Sequence, residues 1–149
     1  MKESSPAAPL PPSILLVDDN RHGSIARKMV LQEHGYRVVL SDSGDDALKA
    51  LSNDRFDLVV TDFRMPRMNG GELIRRIREQ SLTLPIILLS GYVDSIGLDE
   101  KQTGANVVLS KGANEVTHLL RAVSRLLNQG SRRKPPSTQR PPARAAKSG

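Results

Sequence analysis

The sequence of 149 residues contains no cysteine and no tryptophan, and aromatic residues make up only 3% of it. Without cysteine, the chain has no disulfide, no thiolate nucleophile and no Cys-type zinc site, which fits a reducing compartment. Because aromatic residues are so rare, valine, leucine and isoleucine must fill the hydrophobic core. The hydrophobic content of 38% is adequate for one.

Long apolar runs are missing as well. The longest purely aliphatic runs have four residues, whereas a transmembrane helix needs about 20 apolar residues. The N-terminal segment 1–12 contains prolines and charged residues in place of the apolar centre of a signal peptide. We therefore expect a soluble, cytoplasmic protein without a membrane span.

Acidic residues are absent from the C-terminal segment 131–149, which holds six lysines and arginines. The net charge of +6 comes from this segment, because the preceding 130 residues have 16 basic and 16 acidic side chains. A basic segment of this kind fits contact with nucleic acid, an acidic protein or anionic lipid that weakens as salt rises. It fits a solubilising linker end equally well.

Proline and small residues are frequent at both ends of the chain, and the C-terminal end also contains arginines. Such segments bury too little apolar surface to offset the entropy lost on ordering. We therefore predict disorder in the leader, residues 1–12, and in the basic tail, residues 130–149. The folded part is then a single domain, residues 13–129, whose size supports one core.

Two periods of hydrophobicity alternate along this domain. Short apolar runs lack polar alternation and predict strands buried on both faces, at residues 13–17, 36–40, 57–61, 85–89 and 106–110. Segments with helical spacing lie between them: one capped by Asp19 or Asn20 and closed by Gly35, then 43–53, 71–80, about 95–103 and 114–129. The pattern predicts an α/β fold, a doubly wound five-stranded parallel sheet with five helices.

Each predicted helix has an apolar side that we expect to face the sheet. These sides comprise Ile25, Met29 and Val30; Ala47, Leu48 and Leu51; Leu73, Ile74 and Ile77; and Val116, Leu119, Leu120, Val123 and Leu127, with Arg121 and Arg125 outside. The fourth helix is poorly specified, because it contains Gly97 and has only Ile96 and Leu98 as anchors. We expect it to be the most mobile helix.

Side chains suited to chemistry follow four of the five predicted strands. Asp18 and Asp19 come after the first strand, Asp62 after the third, Ser90 after the fourth and Lys111 after the fifth. Because ligands of such sheets bind beyond the carboxyl ends of the strands, we expect these side chains to converge at one edge. Crowded carboxylates repel unless a cation is present, and oxygen ligands without His or Cys suit Mg²⁺ or Mn²⁺.

Taken singly, these residues have ordinary explanations, such as a helix cap for Asp19 or a solvated charge for Lys111. Taken together and in order, they resemble the response-regulator receiver domain of two-component signalling. The resemblance covers residues 13–128 and rests on Asp18-Asp19, on Asp62 followed by Met65-Pro66 and Gly70, and on Ser90 and Lys111. It implies the flavodoxin-like strand order 2-1-3-4-5.

The resemblance implies a phosphoacceptor rather than a conventional enzyme. Asp62 would receive a phosphoryl group from a histidine kinase or a histidine phosphotransfer protein, and Lys111 would pair with a phosphoryl oxygen. Asp19, Asp62 and the backbone carbonyl of Arg64 would bind Mg²⁺ or Mn²⁺ directly, and Asp18 would help through water. The turn after Asp62 must bend sharply around the metal, which fits a fixed φ at Pro66 and a glycine backbone at Gly70.

The same resemblance implies a switch. Ser90 would be the hydroxyl that moves toward the new charge, and the surface that changes would comprise the fourth helix, the fifth strand and the last helix. That surface would dock a downstream effector protein or a second copy of the chain in a homodimer.

Some residues depart from the family pattern. Val108 stands where receivers with a rotating aromatic switch have Tyr or Phe, and Gly112 replaces the proline that commonly follows the lysine, which predicts a looser loop at Lys111. Arg64 and Tyr92 would flank the path of an attacking water, and we hypothesise that Arg64 shields the phosphoryl group.

Three other functions are compatible with parts of the pattern. A flavin-binding protein would need a Ser/Thr/Gly-rich phosphate loop after the first strand, where this chain has Asp18 and Asp19. A phosphatase with an aspartyl nucleophile would need a second acid two residues after Asp62, where this chain has Arg64. A degenerate receiver that acts as a phosphorylation-independent interaction module stays open as the alternative.

Overall fold

Strands and helices alternate along the chain in the computed structural model, which describes residues 10–91 and 99–133. The strands are β1 (Ser13–Val17), β2 (Arg37–Ser41), β3 (Leu58–Asp62), β4 (Ile86–Ser90) and β5 (Val107–Ser110). The helices are α1 (Arg21–Glu33), α2 (Gly44–Asn53), α3 (Gly70–Gln80), α4 (Glu100–Thr103) and α5 (Glu115–Arg133). Among these helices of the described residues, none is long and apolar enough to cross a membrane.

The strands form one parallel sheet in the order β2-β1-β3-β4-β5. This order and the α/β class confirm the prediction from the sequence. The first two strands along the chain are neighbours, but β3 pairs with the opposite side of β1, so the strand order reverses there. The carboxyl ends of β1 and β3 therefore border the crevice in which such sheets bind ligands.

Both faces of the sheet are covered, which explains the lack of polar alternation in the strands. One core cluster includes Ile14, Leu16, Leu58, Val60, Ile87 and Leu89 from the sheet, packed with residues of α1 and α5. The other includes Leu15, Val17, Val59, Ile86 and Leu88, packed with residues of α2 and α3. Alternate residues of each central strand thus serve opposite cores, and aliphatic side chains do fill them as expected.

Side-chain caps fix where the helices begin. Asn20, Ser43, Asn69 and Asp99 each accept a hydrogen bond from the backbone N–H three residues further on, at the start of α1, α2, α3 and α4. Of the two residues predicted to cap α1, Asn20 is therefore the cap. The helix is followed by Gly35 at φ 93°, a left-handed conformation that favours glycine.

Two helices differ from the predicted burial pattern. In α1 the buried residues are Ser24 and Leu31, whereas Ile25 and Met29 are exposed. In α5 the predicted Leu119 and Val123 are buried, but Val116 is exposed. Ala122 and Leu126 take part in the buried side of α5 as well. The inward side of α1 thus contains polar residues, so hydrophobicity alone pointed to the wrong side.

The apolar sides predicted for α2 and α3 agree better with the structure. Leu73, Ile74 and Ile77 of α3 are buried, as is Ala47 of α2, and Leu48 and Leu51 are partly buried against the same core. Helix α4 begins at Glu100, after its cap Asp99, and the predicted anchors Ile96 and Leu98 lie outside the described residues. Most of the predicted disordered leader and tail also lies outside them, although α5 continues to Arg133.

At the amino ends of the strands, Arg78 joins α3 to two loops. Its guanidinium donates hydrogen bonds to the backbone carbonyls of Ser81, Leu84 and Gly104, at 3.1, 2.7 and 3.0 Å. It also donates to the side-chain oxygen of Asn106 at 3.0 Å, and the same oxygen accepts from the N–H of Ile86. One arginine therefore ties the segments that lead into β4 and β5.

Gly70 brings the start of α3 against the end of β3. Its N–H donates to the carbonyl of Phe63 at 2.7 Å. A Cβ at this position would lie 2.4 Å from the backbone oxygen of Asp62 and 2.9 Å from the Cα of Phe63. A side chain is therefore excluded at 70, as predicted, but not by a left-handed backbone, because the positive φ of this turn, 70°, belongs to Arg67. Glycine is required at 70 for close approach.

We predict that Gly70→Ala lowers the free energy of unfolding by about 3 kcal/mol, because the added methyl group would overlap backbone that cannot move independently. Gly112→Ala is the matched control, since a Cβ at Gly112 meets no atom within 4 Å. It should change stability by less than about 0.5 kcal/mol. Urea denaturation followed by circular dichroism measures both, and equal stability of the two variants would contradict the packing role of Gly70.

Candidate functional site

Three aspartates meet at the carboxyl ends of β1 and β3. Asp18 and Asp19 directly follow β1, and Asp62 is the last residue of β3. Hydrogen bonds of the sheet continue past these ends: Asp18 donates its N–H to the carbonyl of Ser41 at 3.0 Å, and Phe63 donates to that of Leu89 at 2.8 Å. The backbone that carries the acids is therefore held in place by neighbouring strands.

Carboxylate oxygens of Asp18, Asp19 and Asp62 all lie within 4.8 Å of one another. The side chain of Asp18 is 2% exposed and that of Asp62 is 6% exposed, whereas Asp19 is exposed. Two oxygens on opposite sides of one Mg²⁺ are about 4.2 Å apart, given bonds of about 2.1 Å. The spacing and the all-oxygen donor set thus fit a small divalent cation, which would hold charges that otherwise repel.

Lys111 supplies a positive charge to this cluster. Its Nζ lies 2.5 Å from Oδ1 of Asp62. Its backbone N–H donates to the carbonyl of Ser90 at 2.8 Å, so the end of β4 positions the residue after β5. The predicted convergence of Asp18, Asp19, Asp62 and Lys111 is therefore observed.

Ser90 ends β4 next to Asp62, since Asp62 and Leu89 are paired in the register of the two strands. Its side chain is completely buried, and its Oγ has no hydrogen-bond partner among the described residues. A buried hydroxyl without a partner is costly, because it has lost water without gaining another hydrogen bond. The Ser90 hydroxyl can therefore donate a hydrogen bond to a new acceptor.

Opposing effects act on the pKa of Asp62. Burial raises this pKa, the ion pair with Lys111 lowers it, and the nearby Asp18 carboxylate raises it further. The pKa of Asp62 lies above its ordinary value as a result. The folded protein therefore binds the Asp62 proton more tightly than the unfolded chain does.

The other predicted site residues differ in what surrounds them. Arg64 is exposed in the turn after β3, and Gly112 is exposed after Lys111. Val108 is a partly buried β5 residue against the core, and its N–H donates to Oε2 of Glu100 at 3.1 Å. Tyr92 lies outside the described residues. Valine, and not the aromatic ring of a rotating switch, thus lies at position 108 between the core and α4.

Two residues of the site were missed by the sequence analysis. Arg27 of α1 donates from Nη1 to Oδ2 of Asp18 at 2.6 Å, and its Nε contacts Oε2 of Glu115 at the start of α5. Only the spacing of Ser24, Arg27 and Leu31, three and four residues apart, could have indicated that Arg27 faces inward. Nothing local in the sequence pairs it with Glu115.

The sequence matches the family described as "Response regulator receiver domain" over residues 14–124. Among similar curated proteins, the response regulator MprA of Mycolicibacterium vanbaalenii is 38% identical over 107 residues, which cover 68% of this chain and 45% of MprA. The transcriptional regulatory protein AfsQ1 of Streptomyces coelicolor is 42% identical over 85 residues, covering 57% of this chain and 37% of AfsQ1. This chain thus matches less than half the length of either relative.

The fold is similar to that of solved receiver structures. The response regulator protein TrrA of Thermotoga maritima, crystallised in complex with Mg(2+)-BeF, superposes with a TM-score of 0.70 at 32% sequence identity. The superposition covers 77% of this chain and 98% of TrrA.

We predict that Asp62→Asn stabilises the metal-free protein at pH 7, because the raised pKa of Asp62 shows that its ionised form disfavours the fold. Stability from this group is complete below the unfolded pKa and is lost as the pH rises through the folded pKa. The gain from Asp62→Asn should therefore shrink toward pH 4, as measured by thermal unfolding in chelator. Lys111→Met should act oppositely and destabilise the protein at pH 7. Parallel pH profiles for Asp62→Asn and wild type would contradict this assignment.

Proposed function

Because this chain belongs to the response regulator receiver domain family, we propose that Asp62 is its phosphoacceptor and receives a phosphoryl group from a histidine kinase or histidine phosphotransfer protein. The observation that carries the proposal is the placement of Asp62: a buried carboxylate at a strand end, 2.5 Å from a lysine and beside two further acids. Receiver domains are phosphoacceptors rather than conventional enzymes, and the acidic pocket of this chain is consistent with that role.

The reaction needs a positioned oxygen nucleophile and positive charge around the moving phosphoryl group. An oxygen of the Asp62 carboxylate would attack phosphorus, the bond to the donor nitrogen would break, and an acyl phosphate would form on Asp62. Lys111 Nζ already contacts Asp62, so it is within reach of an oxygen of the incoming group. The fixed end of β3 would limit the motion needed for in-line attack.

A divalent cation fits the oxygen cluster, and we propose Mg²⁺ or Mn²⁺. Asp19 and Asp62 would hold it with the backbone carbonyl of Arg64, and Asp18 would contribute through water. Held by these residues, such an ion would supply positive charge that neutralises the phosphoryl oxygens. The structure of the similar TrrA with Mg(2+)-BeF supports this proposal.

Ser90 would supply the response to phosphorylation. Its buried hydroxyl has no partner among the described residues, so a new acceptor on Asp62 would offer a hydrogen bond that is missing beforehand. Ser90 is paired with Ser110 of β5 in the register of the two strands. A rearrangement there would reach β5 and α5, which together with α4 form the surface we propose for a downstream effector or a second copy of the chain.

We predict that incubation with a small acyl phosphate and Mg²⁺ labels Asp62, because this carboxylate alone combines the lysine contact with the acidic cluster among the described residues. Intact-protein mass spectrometry and peptide mapping after borohydride trapping would locate the label. Asp62→Asn should abolish it, and Lys111→Met should slow labelling at least tenfold.

Asp54→Asn provides the control for this experiment. Asp54 follows α2, away from the carboxyl ends of the strands, where its carboxylate lies 3.6 Å from Arg37. This variant should be labelled at the wild-type rate. Labelling that persists on Asp62→Asn would contradict the proposal and would favour the degenerate receiver that acts only as an interaction module.

We predict that Arg64→Ala shortens the lifetime of the phosphoryl group severalfold, because an arginine two residues after Asp62 would shield the acyl phosphate from water. The decay of labelled protein after removal of the phosphodonor measures this lifetime. Arg67→Ala, in the same turn, is the control for loss of an exposed positive charge. An unchanged decay rate for Arg64→Ala would refute the shielding role.

A further inference from the structure

A largely buried arginine joins the acidic cluster to the start of α5. Arg27 contacts Asp18 with one nitrogen of its guanidinium and Glu115 with another, and its side chain is only 11% exposed. Asp18 and Glu115 are likewise 2% and 15% exposed. Three charged side chains from three separate segments thus contact one another with little exposure to solvent.

The backbone around Asp18 and Arg27 fits this contact. Side chains of a helix point toward its N-terminus, so Arg27 extends over the first turn of α1 toward Asp18. Gly23 lies beneath it, and a Cβ there would lie 3.3 Å from Nη1 of Arg27. The other oxygen of Asp18 accepts from the N–H of Asn20 at 2.8 Å. Both oxygens of Asp18 are therefore engaged.

Stability alone gives little reason for this arrangement. Burial lowers the pKa of Arg27, while its contacts with Glu115 and Asp18 outweigh burial and leave the pKa raised, so the guanidinium stays charged. Removing such charges from water costs several kcal/mol per ion, and apolar residues of similar volume often replace a buried ion pair without loss. A positive charge in contact with Asp18, however, lowers the affinity of the acidic cluster for a second cation.

We propose that Arg27 is a positioning residue that competes with the divalent cation for Asp18 and thereby couples occupancy of the acidic cluster to Glu115 at the start of α5. This inference rests on the metal site of the proposed function but not on phosphorylation of Asp62. When a cation attracts the Asp18 carboxylate, the contact between Arg27 and Asp18 weakens and the contact between Arg27 and Glu115 strengthens. Coupling of this kind is reciprocal, so changes at Glu115 must alter cation affinity.

Opposite changes in Mn²⁺ affinity test the proposal. Arg27→Met removes a positive charge and should tighten binding of Mn²⁺ about tenfold, the size expected for a divalent ion and a unit charge roughly 6 Å apart even at the dielectric constant of water. Glu115→Gln removes the carboxylate that competes for Arg27, so Arg27 pairs more strongly with Asp18. This variant should bind Mn²⁺ severalfold more weakly. Arg27→Lys should restore affinity to near the wild-type value, because it keeps the charge. Calorimetric titration of the full chain measures all four proteins.

Arg125→Met is the matched control, since it removes an exposed arginine from α5. It should leave Mn²⁺ affinity unchanged. A purely structural role of Arg27 would make Arg27→Met and Glu115→Gln change affinity in the same direction or leave it unchanged, and either result would overturn the proposal. If Arg27→Met does not fold, the Glu115→Gln result alone decides, because unaltered affinity in that variant excludes the coupling.

The unsubstituted protein offers a second measurement. Because Nε of Arg27 is held by Glu115, its N–H resonance should be protected from solvent exchange and should shift on titration with Mg²⁺. A resonance that does not respond to saturating Mg²⁺ would overturn the proposal. Cation binding without labelling of Asp62 would refute the phosphoacceptor function and leave this inference intact, whereas absence of Mn²⁺ binding in every variant would overturn the inference and the proposed metal site together.

Discussion

Carboxylates buried at the end of a parallel sheet require positive charge nearby, and this requirement organises the site. Asp18 and Asp62 are withdrawn from water, so their repulsion is not screened by solvent. The fold supplies a separate cation to each of them, Arg27 for Asp18 and Lys111 for Asp62. Asp19, the third member of the cluster, is exposed to solvent.

The two cations reach the acids from different parts of the molecule. Lys111 arrives from the end of β5, at the edge of the sheet, whereas Arg27 arrives from the buried side of α1. Neutralising charge is thereby distributed over the helices and strands around the site. A change of charge at Asp62 would be felt through Lys111 by β5 and through Arg27 by α5, two elements that adjoin each other in the fold.

The acids and the lysine could be predicted from the sequence because the order and direction of the strands determine where these residues lie. Once β1, β3 and β5 are identified as parallel strands, the residues that follow them must lie at one edge, whatever their side chains do. Arg27 and Glu115 could not be found this way, since their contact depends on which side of α1 faces inward and joins residues 88 positions apart. The apolar Ile25 and Met29 suggested the wrong side of that helix. Glycine at 70 was singled out correctly, but its cause, the close approach to the carbonyl of Asp62, depends on packing that no local pattern reveals.

The hydrogen bonds of Arg78 have a consequence for where the molecule is able to deform. They fasten three backbone carbonyls and Asn106 at the amino ends of β4 and β5, far along the strands from Ser90 and Lys111. The two strands are therefore anchored at their amino ends. A displacement that starts at Ser90 or Lys111 would therefore be largest at the carboxyl ends of β4 and β5 and would decrease toward their anchored amino ends.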